Sequence, residues 1–322
     1  MSAAAPFQAA NCTPLAGNAA ADTTSVGFPC ANAPLRAVAE EEIAAFERDG
    51  VVVLRGVLAP AWLAALEPAC ARLLAAPEAV DITEESLRLA RPADADGLFG
   101  APSYAHALAG RGRFRMHFNT ARREPDVLAF ALAGAVGALA AALLRTSTVR
   151  FVDDILFVKE PHTSEATEWH DDDGGSICTG EQRCSMWVTL ADVDDDAGPL
   201  WALRGSHRRF SGWRARGESA ADIAEAHRHD VVTCPVRAGD VVVHHLATLH
   251  AAGPNRSDRP RRAWALRYAG DGARFLLRQA RRESRAWYGL QDGAPLSGAR
   301  FPVAWPPADA RSREVAPRST CA

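Results

Sequence analysis

Lysine is almost absent from this sequence. Among the 36 Lys and Arg residues in a chain of 322, Lys159 is the only lysine. The formal net charge is −3 and the pI is near 6.4. This balance gives no general attraction to nucleic acid or to anionic lipid, so we expect neither as a partner. The single lysine stands out because it offers a compact point charge where arginine offers a planar fork.

Paired cysteine motifs are also missing. The seven cysteines are odd in number, are scattered along the chain and include no C-x-x-C pair. Neither a disulfide framework nor a zinc site of that type is therefore indicated. The N-terminus has no basic segment followed by an apolar core, so no secretory signal is indicated. A reducing cytoplasm is the expected location.

One long uncharged run covers residues 127–144 and has enough length to be considered as a membrane span. It consists mostly of alanine and includes Gly134 and Gly137, so it is only moderately apolar. These features favour a buried helix, broken near Gly134, over a membrane-spanning one. We therefore expect no membrane association.

The pattern along the chain predicts helices first and strands later. Residues 39–48 are amphipathic with acidic residues in the first turn, 51–54 are typical of a buried strand, and 60–74 indicate a second helix. Residues 82–123 contain many glycines and arginines and indicate a loop-rich segment. From residue 149 onward, short β-branched runs alternate with turns, as in sandwiches and barrels. The sequence therefore predicts a β-rich α+β fold with helices mainly from the N-terminal half.

A candidate metal site begins with His170 and Asp172 in the segment TEWHDDDGG. Residues at i and i+2 of a strand project from one face, so an imidazole and a carboxylate can converge on one ion. Asp171 would then point to the other face. No other H-x-D or H-x-E occurs among the ten histidines, although a single match also arises by chance in surface acidic turns.

The signal strengthens downstream, where His250 follows a strand and precedes a Gly-Pro-Asn turn and Arg261. Two histidines and one carboxylate occupy one side of an octahedron and leave three positions open, which suits iron(II) that also binds a chelating cosubstrate and dioxygen. Arg261 can supply a planar fork for a distal carboxylate. His244 and His245 lie nearby, but strand alternation lets only one face inward, and we interpret both as structural or as supporting the ligands.

These motifs belong to a longer pattern. It includes EEEIAAFERDGVVVLRGVL, FVDDILFVKEP, CSMWVTLADVDDDAGPLWALRGSH and FPVAWP, together with the H-x-D segment and the distal His and Arg. Over about residues 37–306 the sequence resembles the phytanoyl-CoA dioxygenase family of 2-oxoglutarate oxygenases, which includes ectoine hydroxylase. The resemblance implies a double-stranded β-helix, a cupin-like jelly-roll core flanked by helices, as a single domain over 37–306. We expect residues 1–36 to form a poorly ordered leader or arm and 307–322 a tail.

The resemblance also implies the cofactors. Iron(II) would be held by His170, Asp172 and His250, and 2-oxoglutarate and dioxygen would be the cosubstrates. Arg261 would bind the far carboxylate of 2-oxoglutarate, while Arg262 would face away.

Further residues are implied around the cosubstrate. Ser185, Trp187 and Ile155 fall where family members contact 2-oxoglutarate. Period-two alternation puts Phe157 and Lys159 on the face of Ile155. We expect these two side chains to support the ligands or to contact the substrate, although core packing explains Ile155 and Phe157 equally well.

Two positions depart from the family pattern. The residue two after the distal His is commonly Ser, whose hydroxyl helps to hold 2-oxoglutarate, but here it is Ala252. One hydrogen bond worth about 0.5–1.5 kcal/mol is then missing, and weaker cosubstrate binding is expected. The middle residue of H-x-D is commonly Gln, but here it is Asp171, and Asp173 follows. Asp171 could support the metal site or contact a cationic substrate group, but we favour two solvated carboxylates beside one ligand.

The family chemistry predicts hydroxylation of an unactivated C–H bond in a small metabolite or natural-product intermediate, with release of succinate and CO2. Two other classes remain open. A zinc or manganese cupin-type hydrolase or isomerase could use the same triad without needing Arg261. A non-catalytic jelly-roll binding module would have lost its metal, and the intact triad argues against that. Neither the substrate nor an oligomeric state is predicted.

Overall fold

The computed structural model describes residues 33–75, 80–81, 112–277 and 289–307. The predicted leader (1–36) and tail (307–322) lie almost wholly outside these ranges. The helices of the described residues are α1 (Glu40–Asp49), α2 (Pro60–Ala75), α3 (Pro125–Ala131), α4 (Gly134–Leu143), α5 (Ser206–Arg209) and α6 (Ala220–Ala226). The strands are β1 (Val51–Leu54), β2 (Val80–Asp81), β3 (Phe114–Phe118), β4 (Val149–Lys159), β5 (Thr167–His170), β6 (Cys178–Thr179), β7 (Arg183–Thr189), β8 (Leu200–Leu203), β9 (Val231–Cys234), β10 (Val241–His245), β11 (His250–Ala252), β12 (Arg261–Gly270), β13 (Arg274–Phe275) and β14 (Val303–Trp305).

The strands form two facing sheets and a short extra pair. The main sheet has the order β1-β10-β7-β12-β4-β3-β2, with β14 also paired to β4, and the small sheet has the order β5-β11-β8-β9. The described strand pairs are antiparallel, so the predicted β-rich α+β class is confirmed. One apolar cluster joins Trp187 and Ala265 of the main sheet to Leu200 and Ala202 of the small sheet. We call the face of the main sheet that meets this cluster the inner face.

The first helix shows how local sequence sets the outer layer. Three glutamates occupy the first turn of α1, where they favour the helix dipole, and the Glu42 carboxylate accepts a hydrogen bond from the Ala39 backbone N–H at 2.9 Å. The helix ends at Gly50, whose φ of 72° suits glycine. Ile43 and Phe46 then pack into the cluster on the outer face of the main sheet.

The uncharged run of residues 127–144 lies inside the protein. It forms most of α3 and all of α4, which are separated at Leu132 and Ala133, just before Gly134. The segment Pro125–Leu143 is long and apolar enough for a membrane span, but it is 61% buried inside the protein. Helix α4 packs closely on β14, where a Cβ added at Gly137 would come within 2.4 Å of the Ala304 carbonyl oxygen. The predicted buried, broken helix is therefore confirmed.

The loop-rich interpretation of residues 82–123 is wrong for Phe114–Phe118. These residues form β3 and pair in register with β4 from Lys159 to Ile155. The glycines and arginines of the surrounding segment suggested a loop, but pairing with a long neighbouring strand overrides local preference.

Cross-strand neighbours form polar and apolar rows on the inner face, because directly opposed residues of antiparallel strands share a face. The rows, in order along the strands, are His244 with Ser185, Arg267 and Asp153; Trp187 with Ala265 and Ile155; Thr189 with Ala263 and Phe157; and Arg261 with Lys159. Successive rows differ by two residues, or about 7 Å. The predicted common face of Ile155, Phe157 and Lys159 is therefore confirmed.

Candidate metal centre and anion pocket

Three potential metal ligands converge at the mouth of the small sheet. One ligand atom from each of His170, Asp172 and His250 lies within 4.8 Å of the other two. His170 ends β5 and stands directly opposite His250 at the start of β11, with ring centroids 4.2 Å apart. The chain therefore brings together the two-histidine, one-carboxylate set that the sequence predicted.

The position of Asp172 differs from the expected one. The i and i+2 spacing predicts that both residues lie on a strand, but β5 ends at His170 and Asp172 has a helical backbone, with φ of −81° and ψ of −12°. The Asp172 N–H donates to the Leu246 carbonyl at 2.8 Å, which ties the turn to the chain just before β11. A turn, rather than strand alternation, thus aims this carboxylate.

Both histidines are oriented by backbone carbonyls. His170 Nδ1 lies 2.7 Å from the Glu168 oxygen, and His250 Nδ1 lies 2.9 Å from the Thr248 oxygen. Because a carbonyl can only accept, each Nδ1 carries the proton. In a neutral imidazole, Nε2 then keeps its lone pair for a metal.

The pKa shifts of Asp172 and His250 favour the protonation states that bind a cation. Burial by itself would raise the pKa of Asp172, but Arg267 and the neighbouring histidines outweigh it and lower that pKa below its usual range. Burial lowers the pKa of His250 well below its usual value, and His244 and His170 add to this effect. At neutral pH the site therefore presents one carboxylate and a neutral imidazole at His250, which are the protonation states that metal binding requires.

Arg267 also belongs to this site, although the sequence pattern did not predict it. Its Nη2 donates to Asp172 Oδ1 at 2.8 Å, and its Nη1 donates to Asp153 Oδ1 at 3.0 Å. A signal was available, because counting in twos from Arg261 along β12 places Arg267 on the same face.

A second group of buried polar side chains lies at the other end of the rows, and we call it the candidate anion pocket. Arg261 is only 3% exposed, and its Nε and Nη2 have no hydrogen-bond partner among the described residues. Burial lowers the pKa of Arg261 to about 9, so the side chain is still charged at neutral pH. Its guanidinium carbon lies 5.4 Å from the centre of the Trp187 ring. Arg261 thus lacks an acceptor in a place where one would be strongly favoured.

Lys159 stands directly opposite Arg261 and is completely buried. Its ammonium donates to the carbonyls of Ala252, at 3.3 Å, and Gly253, at 2.6 Å, and lies 4.7 Å from the centre of the Phe114 ring. Burial lowers its pKa well below the usual value, and Arg261 adds to this, while Glu165 opposes it. The only lysine of the chain therefore lies in the anion pocket, beside Ala252.

Two buried hydroxyls on the inner face also lack partners among the described residues: those of Ser185 and Thr189. Thr189 lies one row from Arg261 and was not predicted. Ser185 lies three rows from Arg261, in the row of Arg267 and His244. Ser185 is therefore near the metal end of the inner face rather than the Arg261 end.

The remaining predicted residues divide into inner-face and outer positions. Ile155, Phe157 and Trp187 lie in the rows between Arg267 and Arg261.

Asp171 points elsewhere, is 7% exposed and accepts hydrogen bonds from Trp213 Nε1, at 2.6 Å, and from Arg214. The interpretation of Asp171 as a solvated carboxylate is therefore wrong, because the loop before α6 covers it.

The adjacent histidines of β10 have different roles. His244 lies on the inner face and packs against His250 with ring centroids 4.1 Å apart. His245 is buried on the other side, where its Nε2 donates to the Glu181 carbonyl at 3.0 Å. Only one of them faces inward, as expected.

Another cluster of metal-binding residue types, His227, His229 and Asp230, lies at the surface. Arg209 contacts two of its members, with Nη1 at 2.8 Å from Asp230 and Nη2 at 3.1 Å from His227 Nδ1. A guanidinium in this position competes with a cation, so the triad of His170 remains the candidate metal centre.

Comparisons with known proteins agree with this site. A family model described as phytanoyl-CoA dioxygenase (PhyH) matches residues 46–263, which include the triad and Arg261. Ectoine dioxygenase of Sphingopyxis alaskensis is 26% identical over 283 residues, covering 81% of this chain and 85% of that protein. The epimerase SnoN, solved with Fe3+, alpha ketoglutarate and nogalamycin RO, is 25% identical with a TM-score of 0.64, covering 82% of this chain and 98% of that one. The carbocyclase SnoK from nogalamycin biosynthesis is 23% identical with a TM-score of 0.63, covering 83% and 96%.

Proposed function

The chain belongs to the phytanoyl-CoA dioxygenase family of iron- and 2-oxoglutarate-dependent oxygenases, and we propose that it hydroxylates an unactivated C–H bond of a small metabolite or natural-product intermediate. The observation that carries the proposal is the pairing of the triad, on the small sheet, with the anion pocket on the inner face of the main sheet. His170, Asp172 and His250 would bind iron(II), and Arg261 would bind the distal carboxylate of 2-oxoglutarate.

The residues present fit this pair of cofactors. Two imidazoles with free Nε2 positions and one carboxylate match the ligand set of non-haem iron oxygenases. Arg261 and Thr189 offer buried donors without acceptors, and a dicarboxylate would satisfy them. When bound, iron with 2-oxoglutarate and dioxygen supplies the oxidising power that no amino acid side chain has.

The chain's own residues position and isolate the reaction. Arg261 provides positive charge for the distal carboxylate at one end of the inner face, where Lys159 stands opposite it. Trp187, Ile155 and Phe157 line the rows between this end and the metal centre, where their apolar surfaces exclude water and strengthen the electrostatic contacts. Together these side chains would set the orientation of the cosubstrate.

Thr189 supports the same pocket and leads to a testable expectation. We expect Thr189→Val to weaken 2-oxoglutarate binding about two- to tenfold, because one hydrogen bond of about 0.5–1.5 kcal/mol is lost. The dissociation constant can be measured by calorimetric titration of the Fe(II) protein without oxygen. Thr233→Val, an exposed strand threonine on β9, is the matched control. Equal affinity in both variants would remove Thr189 from the cosubstrate pocket.

The substrate class is inferred from relatives. SnoN was solved with alpha ketoglutarate and nogalamycin RO, and the relative from Sphingopyxis alaskensis is an ectoine dioxygenase. These relatives support a small-molecule substrate for this chain, with succinate and CO2 as the products formed from 2-oxoglutarate.

We further propose that the two facing sheets are the halves of a jelly-roll, or double-stranded β-helix, within one domain over residues 37–306. The support is the order of strands, since β4, β7, β10 and β12 of the main sheet are separated along the chain by β5, by the pair β8 and β9, and by β11 of the small sheet. The apolar cluster between the sheets joins them into one core.

A cytoplasmic location is proposed on the state of the cysteines. Cys70, Cys178, Cys184 and Cys234 are buried and unpaired, and burial raises the pKa of Cys70 to about 11 and that of Cys234 to about 12. Thiols of this kind are inert structural residues, as expected in a reducing compartment.

The proposed function is tested by an anaerobic titration with Fe(II) and 2-oxoglutarate, followed by visible absorption. A weak metal-to-ligand charge-transfer band that requires both components supports the proposal, and succinate release then serves to screen substrates. If no band forms and neither component binds, the proposal fails in favour of another metal or of a non-catalytic jelly-roll.

A further inference from the structure

Arg267 makes contacts that the proposed function does not use. Its guanidinium forms a fork on Asp172, with Nη2 at 2.8 Å from Oδ1 and Nε at 3.3 Å from Oδ2. The remaining nitrogen, Nη1, donates to Asp153 Oδ1 at 3.0 Å. Arg267 therefore connects a candidate metal ligand beside the small sheet to Asp153, a second carboxylate, on the neighbouring strand of the main sheet.

The sheet geometry explains why Arg267 and Asp153 meet. They are direct cross-strand partners in the first inner-face row, and Ser185 lies on the other side of Arg267. The pairing of β12 with β4 shifts immediately after this row, so that Val152 is an extra residue opposite the Arg267–Tyr268 step. A bulge re-aims the side chains beside it and is common next to active sites. Here the bulge lies directly beside the row that holds Arg267 and Asp153.

The fork has a consequence for coordination. A carboxylate can bind a metal through one oxygen or through two. Donors on both oxygens of Asp172 oppose the two-oxygen mode, because that mode would require both lone-pair regions to turn toward the metal. The planar guanidinium suits this task better than an ammonium, because it presents parallel N–H groups in a rigid fork.

Arg267 also forms an ion pair with Asp153. Without the guanidinium, Asp153 would be an unpaired carboxylate one cross-strand position from the site, able to compete for the cation. Arg267 therefore acts on two carboxylates: it orients that of Asp172, and it keeps that of Asp153 paired so that it does not bind the cation.

We propose that Arg267, anchored by Asp153, is a positioning residue that makes Asp172 bind the metal through a single oxygen and so leaves coordination positions for the cosubstrate. This inference rests on the proposed function, since it requires that the triad binds a metal. It assigns a role to Arg267 and Asp153 that is separate from the binding of 2-oxoglutarate by Arg261.

The experiment is a Co(II) titration of the wild type, Arg267→Gln, Arg267→Lys and Asp153→Asn, followed by visible absorption, which reports coordination number and geometry. We expect Arg267→Gln to bind Co(II) about 10–100-fold more weakly, as when other residues that orient metal ligands are removed, and to change the spectrum. Arg267→Lys should recover little, because a point charge cannot form the fork. Asp153→Asn should show a smaller loss, because the fork remains and only its anchor weakens.

Arg262→Gln is the matched control, because it makes the same substitution on the same strand but on the outer face, where Arg262 pairs with Glu67. Thermal melting of each variant checks that it folds. If Arg267→Gln shows wild-type Co(II) affinity and spectrum, the proposed role of Arg267 is overturned. Tighter Co(II) binding by Arg267→Gln would also overturn it, because the guanidinium would then only repel the cation. Failure of the wild type itself to bind Co(II) would overturn the metal centre and, with it, this inference.

Discussion

Asp172→Ala is expected to reduce iron binding and succinate release to the level of metal-free protein. The substitution removes the only anionic member of the triad, whose ligand atoms lie within 4.8 Å of one another. The two remaining imidazoles are neutral donors, so no negative charge balances the cation. The same change leaves Arg267 beside the metal position with Asp153 as its only carboxylate partner in the first row, which further disfavours a cation.

The measurements are iron content after anaerobic loading and succinate produced per enzyme. Asp173→Ala is the matched control, since Asp173 follows directly in the chain, is half-exposed and pairs with Arg183 at 2.6 Å. Thermal melting separates loss of the ligand from loss of the fold. Full iron loading and turnover in Asp172→Ala would remove Asp172 from the ligand set and direct attention to Asp153, the other carboxylate that Arg267 contacts.

Arg261→Ala is expected to raise the dissociation constant for 2-oxoglutarate by about 10²- to 10³-fold or more. The reason is that a buried carboxylate left without its cation costs about 3–5 kcal/mol, and each 1.4 kcal/mol is a factor of ten. Lys159 remains opposite the vacated position, but its ammonium is already engaged by the carbonyls of Ala252 and Gly253, so it compensates only in part.

The expected pattern in Arg261→Ala is a large loss of 2-oxoglutarate affinity with iron binding retained, because Arg261 lies three rows from Arg267 and the metal end. Calorimetry with 2-oxoglutarate and a separate Fe(II) titration distinguish the two effects. Arg262→Ala, on the outer face of the same strand, should bind 2-oxoglutarate like the wild type. If Arg261→Ala keeps an unchanged requirement for 2-oxoglutarate, another residue binds the distal carboxylate.

Much of the metal centre was predictable from the sequence because its ligands carry distinctive chemistry. His170 and Asp172 lie two residues apart, and His250 and Arg261 follow in a recognisable strand and turn pattern. The strand conformation predicted for Asp172 is nevertheless wrong, since a turn tied to Leu246 aims its carboxylate. Residue type and spacing can identify a ligand even where the assumed local conformation is wrong.

Other features could not be read from local pattern. The strand Phe114–Phe118 lies in a segment rich in glycine and arginine, and only pairing with β4 makes it a strand. Asp171 was interpreted as solvated because nothing nearby in sequence indicates Trp213 and Arg214, which lie more than 40 residues further along the chain. Burial of a charged group depends on distant segments, and local sequence does not report them.

By itself the sequence determined the family, the β-rich class with N-terminal helices, and the residue types of the metal centre. These follow from side-chain chemistry and from the period of apolar residues, both of which are local properties. Only the tertiary structure decided which polar groups lack partners and which carboxylates are paired. Arg261 meets Lys159, and Arg267 meets Asp153, because antiparallel register places each pair in a common row. Arg267 also reaches Asp172 across 95 residues of chain, because the main sheet faces the small sheet. Register is set by the whole sheet, so the electrostatic surroundings of the site appear only when the chain is folded.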